Sequence, residues 1–204
     1  MLVQPDVFPD SRGHFLETYR AEPYCDLGVN VDFVQDNHSR SQRGAIRAFH
    51  FQLQPGQAKL VRAASGSVYD VAIDLRRDSP TYGQHEAFEL SDENNLQLFV
   101  PVGFAHGFCV LSDMADVTYK VSSYYDPATE RGIAFDDPQL GVHWPVDEPL
   151  VSDRDRANPP PQGDRGRAAL VDGHPAAPKR FLVSERRGRL LALPGMRDLP
   201  QAER

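Results

Sequence analysis

Four residues have the types that move protons or hold charge, and three of them sit inside apolar, strand-like runs: His50 in GAIRAFHFQ, Lys59 in AKLVRAA and Tyr119 in DVTYKV, with Asp155 in SDRD as the fourth. A solvated strand face takes Thr, Lys or Glu and a plain core takes Val or Leu, so Arg47 and His50 among Ile46, Phe49 and Phe51 fit neither pattern. Each residue also has a bland reading. A lone strand histidine is usually a hydrogen-bonded core or rim residue, Lys59 can guard a strand edge, Tyr119 can be an interface aromatic, and Asp155 can cap a turn. Together they offer proton chemistry: an imidazole, a carboxylate to orient it, a partly buried ammonium beside developing negative charge, and a phenol on another strand.

Other chemistries lack their spacing. His38, His50 and His106 lie on different strands or turns, but the chain has no HxH, the pair of ligands at i and i+2 that small β-barrels use for a metal. No Ser or Cys sits in a GxSxG elbow, and Cys109 in GFCVL reads as core. Neither GxGxxG nor GxxxxGK[ST] occurs, so a phosphate would be held by arginine forks, for which Arg12 in DSRGHF and Arg47 are the candidates.

The elements that must position these groups are strands. From residue 31 to 121 short apolar runs alternate with turn signals: VDFVQ, GAIRAFHFQ, AKLVRAA, SVYDVAIDL, HEAFEL, LQLFV, GFCVL and DVTYKVSSYY are separated by LQPGQ, SG, RRDSPTYG, SDENN, PVG and LSD. This predicts an all-β domain, a sandwich, small barrel or jelly roll, with one short helix in LETYRAEPYCDLG closed by Gly28. After Trp144 the texture turns to Pro, Gly, Asp and Arg, predicting a domain over 1–158 and a flexible tail over 159–204. The 204 residues suit one domain with a tail; 29 acidic against 22 basic residues, a formal charge of −7, argue against nucleic acid but not against one anionic small molecule. Two cysteines without CxxC spacing, no basic and apolar leader and no membrane-length apolar run predict a cytoplasmic protein.

The segments FPDSRGHFLE, FVQDNHSRS, RGAIRAFHFQ, AKLVRAASGSVYDVAIDLRRDSPTYG, PVGFAHGF, TYKVSSYY and VSDRD, in this order between about Val7 and Ala157, resemble the dTDP-4-dehydrorhamnose 3,5-epimerase family of deoxysugar biosynthesis. The resemblance implies a cupin-like jelly-roll barrel that works as a homodimer without metal or other cofactor on a dTDP-4-keto-6-deoxysugar. It implies that His50 is the base, Asp155 its partner, Lys59 the cation and Tyr119 the acid. Arg12, Glu17, Gln35, Asn37 and Arg47 match positions lining the nucleotide and sugar site, with Phe15, His106 and Tyr124 counted in the same pocket.

The chain departs from that pattern where Ala48 replaces the usual Gly after the motif arginine, where Phe49 and Phe51 replace commoner residues, in a start about one strand shorter, and in a closing segment not recognisable after Asn158. A methyl at position 48 would narrow the pocket or be absorbed by the backbone, and the shorter start would weaken a dimer contact. An epimerase acting on C3 alone or C5 alone, and a non-catalytic or metal-dependent cupin module, remain alternatives. One geometric demand stands out: strict alternation sends Arg47 and His50 to opposite faces, so both reach one pocket only through twist, a bulge, or an arginine at the mouth.

Overall fold

The computed structural model describes residues 1–160 and two short strands at 183–185 and 189–191. The elements are β1 (Leu2–Val3), β2 (Val7–Asp10), β3 (Gly13–Leu16), α1 (Ala21–Asp26), β4 (Gln35–Gln42), β5 (Ala45–Gln52), β6 (Lys59–Ser65), β7 (Ser67–Asp74), β8 (His85–Ser91), β9 (Gln97–Val100), β10 (Phe104–Val110), β11 (Met114–Val121), β12 (Glu130–Gly132), β13 (Leu150–Val151), α2 (Asp153–Arg156), β14 (Val183–Glu185) and β15 (Arg189–Leu191). They form a larger sheet in the order β15-β14-β1-β9-β6-β11-β4 and a smaller one in the order β12-β5-β10-β7-β8, with β13 added to β5 and β2-β3 as a separate hairpin. Two antiparallel-dominated sheets face each other as a jelly-roll barrel. The expected flexible tail over 159–204 lies almost wholly outside the described residues.

The near-continuous apolar runs are explained by burial on both faces. On β7 and β10, Val68, Ala72, Phe104, Phe108 and Val110 point between the sheets with Val61, Leu98 and Val117. Their neighbours Val71, Ile73, Ala105 and Cys109 point outward, beneath Ile133, Phe135 and Leu140. The indole Nε1 of Trp144 donates to the Phe135 carbonyl at 2.8 Å and its ring lies 5.4 Å from that of Phe49, which fastens this cover. The larger sheet is covered by Tyr24, Val29 and neighbours around α1, over Leu60 and Phe99.

Two elements differ from the sequence reading. VDFVQ is not a strand: Val31 and Phe33 pack against the cover of the larger sheet, and the strand begins only at Gln35. β4 is built from QDNHSRSQ, whose odd positions Gln35, Asn37, Ser39 and Ser41 are the less exposed. It is an edge strand beside a polar cleft, so it needs no hydrophobic period. The helix starts at Ala21 rather than near Leu16, which belongs to β3, and ends as expected, with Gly28 at φ +91°.

Of the three ways to bring Arg47 and His50 to one pocket, the structure contains the bulge. His106 on β10 faces His50, but Phe108 faces Arg47, so one residue of β10, Gly107, stands against two of β5, Ala48 and Phe49. Ala48 and Phe49 are both fully buried in the outer cluster, which leaves Arg47 and His50 on the inner face; the peptide bond between the two is cis. The Ala48 methyl therefore packs behind the sheet and does not narrow the cleft. Gly107 lies across from this pair, where an added Cβ would stand 2.4 Å from Ala48 Cβ and 2.8 Å from its Cα. Gly107→Ala must therefore push the bulge away, and a destabilisation of about 1–3 kcal/mol is expected. Chemical denaturation checks this; an unchanged midpoint would show that the bulge yields without cost.

Candidate active site

The His50 ring sits on β5 with Nε2 2.7 Å from Asp155 Oδ1. A carboxylate only accepts, so Nε2 carries the proton and Nδ1 keeps the lone pair that a base needs. The imidazole is 24% exposed while the carboxylate is 6% exposed, which gives one end access to a ligand and shelters the other. Asp155 reaches this place because β13 runs parallel to the start of β5 and α2 follows at once. The Ser152 side chain accepts from the Asp155 backbone N–H at 3.1 Å, a capping arrangement that starts α2 and leaves the Asp155 carboxylate for His50. Gly132, opposite His50 on β12, has no side chain, and the Asn158 amide occupies that space: an added Cβ would lie 2.4 Å from Asn158 Cγ.

Lys59, on β6 of the facing sheet, is 7% exposed and its Nζ donates to the His50 carbonyl at 3.3 Å. Burial pulls its ammonium down to about 8, against the smaller opposing pull of Glu130 and then Asp70. Tyr119, on β11 of the same sheet, lies directly across from Val61 on one side and Asn37 on the other. Burial raises its phenol, Arg47 works against that and Glu130 adds to it. The imidazole dyad and the phenol thus come from opposite sheets, with the ammonium beside the dyad.

Two further carboxylates belong to this cleft and were not singled out from sequence. Asp70 on β7 is fully buried and both its oxygens accept from His106 Nε2, at 2.9 and 3.0 Å. The His106 pKa is lowered: burial is the largest cause, Asp70 raises it, and Lys59 and His50 add to the fall. Glu130 on β12 faces Gln52 and forms an ion pair with Arg154 of α2. The signal for Asp70 was an inward charge within the apolar run SVYDVAIDL. Glu130 carried none, because β12 is only three residues long.

Of the other expected site residues, Arg47 donates from Nε to Ser41 Oγ at 2.9 Å, and Gln35 donates to the Asn37 side chain at 2.8 Å; both lie along the β4 side of the cleft. Tyr124 follows β11 and is 71% exposed, and its carbonyl accepts from Gln52 at 3.2 Å. Arg12 and Phe15 are on the β2-β3 hairpin, where Arg12 pairs with Asp10 at 2.6 Å. Glu17 lines a shallow recess with Val3, Pro23, Tyr24 and Leu27 and is 3.5 Å from Arg20. The single chain does not bring these last three to His50. His38 faces away, bound to Asp116 at 2.7 Å together with Arg40. Among the described residues no group of three His, Cys, Asp or Glu side chains is arranged to hold a metal ion.

This constellation can be set beside known proteins. The profile of the dTDP-4-dehydrorhamnose 3,5-epimerase family matches residues 1–162. The dTDP-4-dehydrorhamnose 3,5-epimerase of Pseudomonas aeruginosa is 50% identical over 158 residues, 76% of this chain and 87% of that protein. The dTDP-4-dehydrorhamnose 3-epimerase of Streptomyces niveus is 42% identical over 156 residues, 76% of this chain and 75% of that protein. A crystal structure of dTDP-6-deoxy-D-glucose-3,5-epimerase from Legionella pneumophila, in complex with dTDP-4-keto-L-rhamnose, superimposes with a TM-score of 0.79 at 45% identity, covering 81% of this chain and 89% of that one. The ordered motifs, the opposed-sheet site and a match that spans nearly every described residue agree: the chain belongs to the dTDP-4-dehydrorhamnose 3,5-epimerase family.

Proposed function

We propose that this protein epimerises C3 and C5 of dTDP-4-dehydro-6-deoxy-D-glucose to give dTDP-4-dehydro-L-rhamnose by enolisation. The observation that carries the reading is the His50–Asp155 pair, 2.7 Å apart, opening into a cleft whose facing sheet supplies Lys59 and Tyr119. Both C3–H and C5–H are α to the 4-keto group, so loss of either proton places negative charge on O4. His50 Nδ1 takes the proton, Asp155 stabilises the imidazolium, and the Lys59 ammonium stabilises the O4 charge. Tyr119, on the opposite sheet, returns a proton to the other face of the ring. Arg47, Gln35, Asn37, His106 and Tyr124 hold the sugar nucleotide.

The protein acts as a cytoplasmic homodimer. Its cysteines, Cys25 and Cys109, are unpaired, and none of the described helices is long and apolar enough to cross a membrane. Phe8 and Phe15 on the hairpin are 54% and 69% exposed, an apolar surface that suits a second copy; Arg12, Phe15 and Glu17 then serve the site across that contact. Light scattering is expected to give the mass of two chains, and a monomer at working concentration would remove this part of the reading.

His50→Ala is expected to lower turnover by roughly 10²–10⁴-fold with the fold intact, since it deletes the base. Asp155→Asn should cost less, because the imidazole remains and loses only its counter-charge. Steady-state rates with circular dichroism measure both, and near-wild-type activity of His50→Ala would sink the assignment.

Tyr119→Phe separates the two half-steps. In deuterated water it should return substrate labelled at C3 or C5 with retained configuration faster than it forms inverted sugar, because the protonated His50 can hand its deuteron back. An equal fall in exchange and inversion would place the acid elsewhere. The same NMR spectra count the labelled carbons, and label confined to C3 would favour the reaction named for the Streptomyces niveus relative.

A further inference from the structure

Glu130 has no part in the proton transfers above, yet it stands where it can govern them. On β5 beyond the bulge, His50 and Gln52 share the inner face; Glu130 is directly opposite Gln52 and Gly132 opposite His50, so the Glu130 side chain is on the cleft side. Its side chain is 16% exposed, against 58% for its ion-pair partner Arg154. Arg154 is the neighbour of Asp155 in α2, so one ion pair joins β12 to the helix that carries the dyad's carboxylate.

We propose that Glu130 is a positioning residue that keeps both proton-bearing groups of the facing sheet, the Lys59 ammonium and the Tyr119 phenol, in their protonated forms, and that Arg154 limits the strength of this effect. The proposal rests on the roles given to Lys59 and Tyr119 above. Both groups fail in the same direction: a neutral amine cannot stabilise an enolate, and a phenolate cannot donate. One nearby negative charge corrects both, because it favours a cation and disfavours a second anion.

The other charged and titratable groups facing Lys59 do not do this alone. His50 on β5 and His106 on β10 act against the ammonium when protonated. Asp70 on β7 favours it less than Glu130 does and has both oxygens on His106. The cross-strand neighbours of Lys59 on β9 and β11 are Val100 and Val121. At Tyr119, Arg47 pulls toward phenolate and Glu130 opposes it.

The chain has three lysines, Lys59, Lys120 and Lys179, so a protein labelled with ¹³C-lysine gives a readable titration in which Lys59 is assigned by its loss in Lys59→Arg. The whole chain is titrated without substrate, so the result does not depend on which sugar it turns over. Glu130→Gln is expected to lower the Lys59 midpoint by about one pH unit. Arg154→Gln is expected to raise it, because Glu130 is left uncompensated and a cation is gone. Opposite signs are the signature, since a loosened site would move both variants alike. In turnover, Glu130→Gln should shift the alkaline limb of kcat/KM to lower pH and leave the acid limb in place. An unmoved Lys59 midpoint in Glu130→Gln, or shifts of the same sign in the two variants, overturns the proposal. Should the glutamine variant not fold, Arg154→Gln decides by its sign alone.

Discussion

The extra residue in β5 is the constraint on which the site depends. Strands alternate, and a regular β5 would bury either Arg47 or His50 in the outer cluster. By setting two residues of β5 against one of β10, the chain turns Ala48 and Phe49 outward together and keeps both polar groups inside. The consequences spread outward from there: Gly107 must lack a side chain, the outer cluster must accept Phe49, and Trp144 covers the ring. Packing on the back of the smaller sheet is thus what aims the polar side chains of its inner face.

A second constraint is electrostatic. The interior between the sheets divides into an apolar part, filled by Val61, Leu98, Phe104 and Phe108, and a polar part holding His50, Lys59, Asp70, His106 and Tyr119. Low polarity on one side strengthens every charge on the other and makes an unpaired one costly. The chain answers by giving each imidazole a carboxylate, Asp155 to His50 and Asp70 to His106, and by resting Lys59 on a carbonyl.

Much of this was legible in sequence. The strand-forming runs from β5 to β11 announced themselves by apolar composition and Gly, Pro, Asn and Asp turns, and His50, Lys59 and Tyr119 stood out as misfits in those runs. Asp155 was legible through the resemblance, since it lies in a polar stretch without periodicity. What stayed hidden lacked a local signature. β4 is polar because it edges a cleft, so no hydrophobic period marks it. β12 and β13 are two or three residues long and exist only because β5 offers them a partner. The alternation rule left twist, a bulge or an arginine at the mouth as ways to bring residues 47 and 50 to one pocket, and the bulge depended on Gly107, which is far off in sequence and recognisable only once β10 is laid beside β5.

The reach of Asp155 has a consequence for how the protein is made. It stands 105 positions after His50, behind β1 to β13. A chain emerging from the ribosome can pair β5 with β10 and bury most of its interior before that carboxylate exists. Through this interval the imidazole has no counter-charge, and the His50–Asp155 pair forms only when β13 and α2 dock beside β5. A product broken off before Leu150 keeps the residues of both main sheets' central strands and lacks the carboxylate partner of His50.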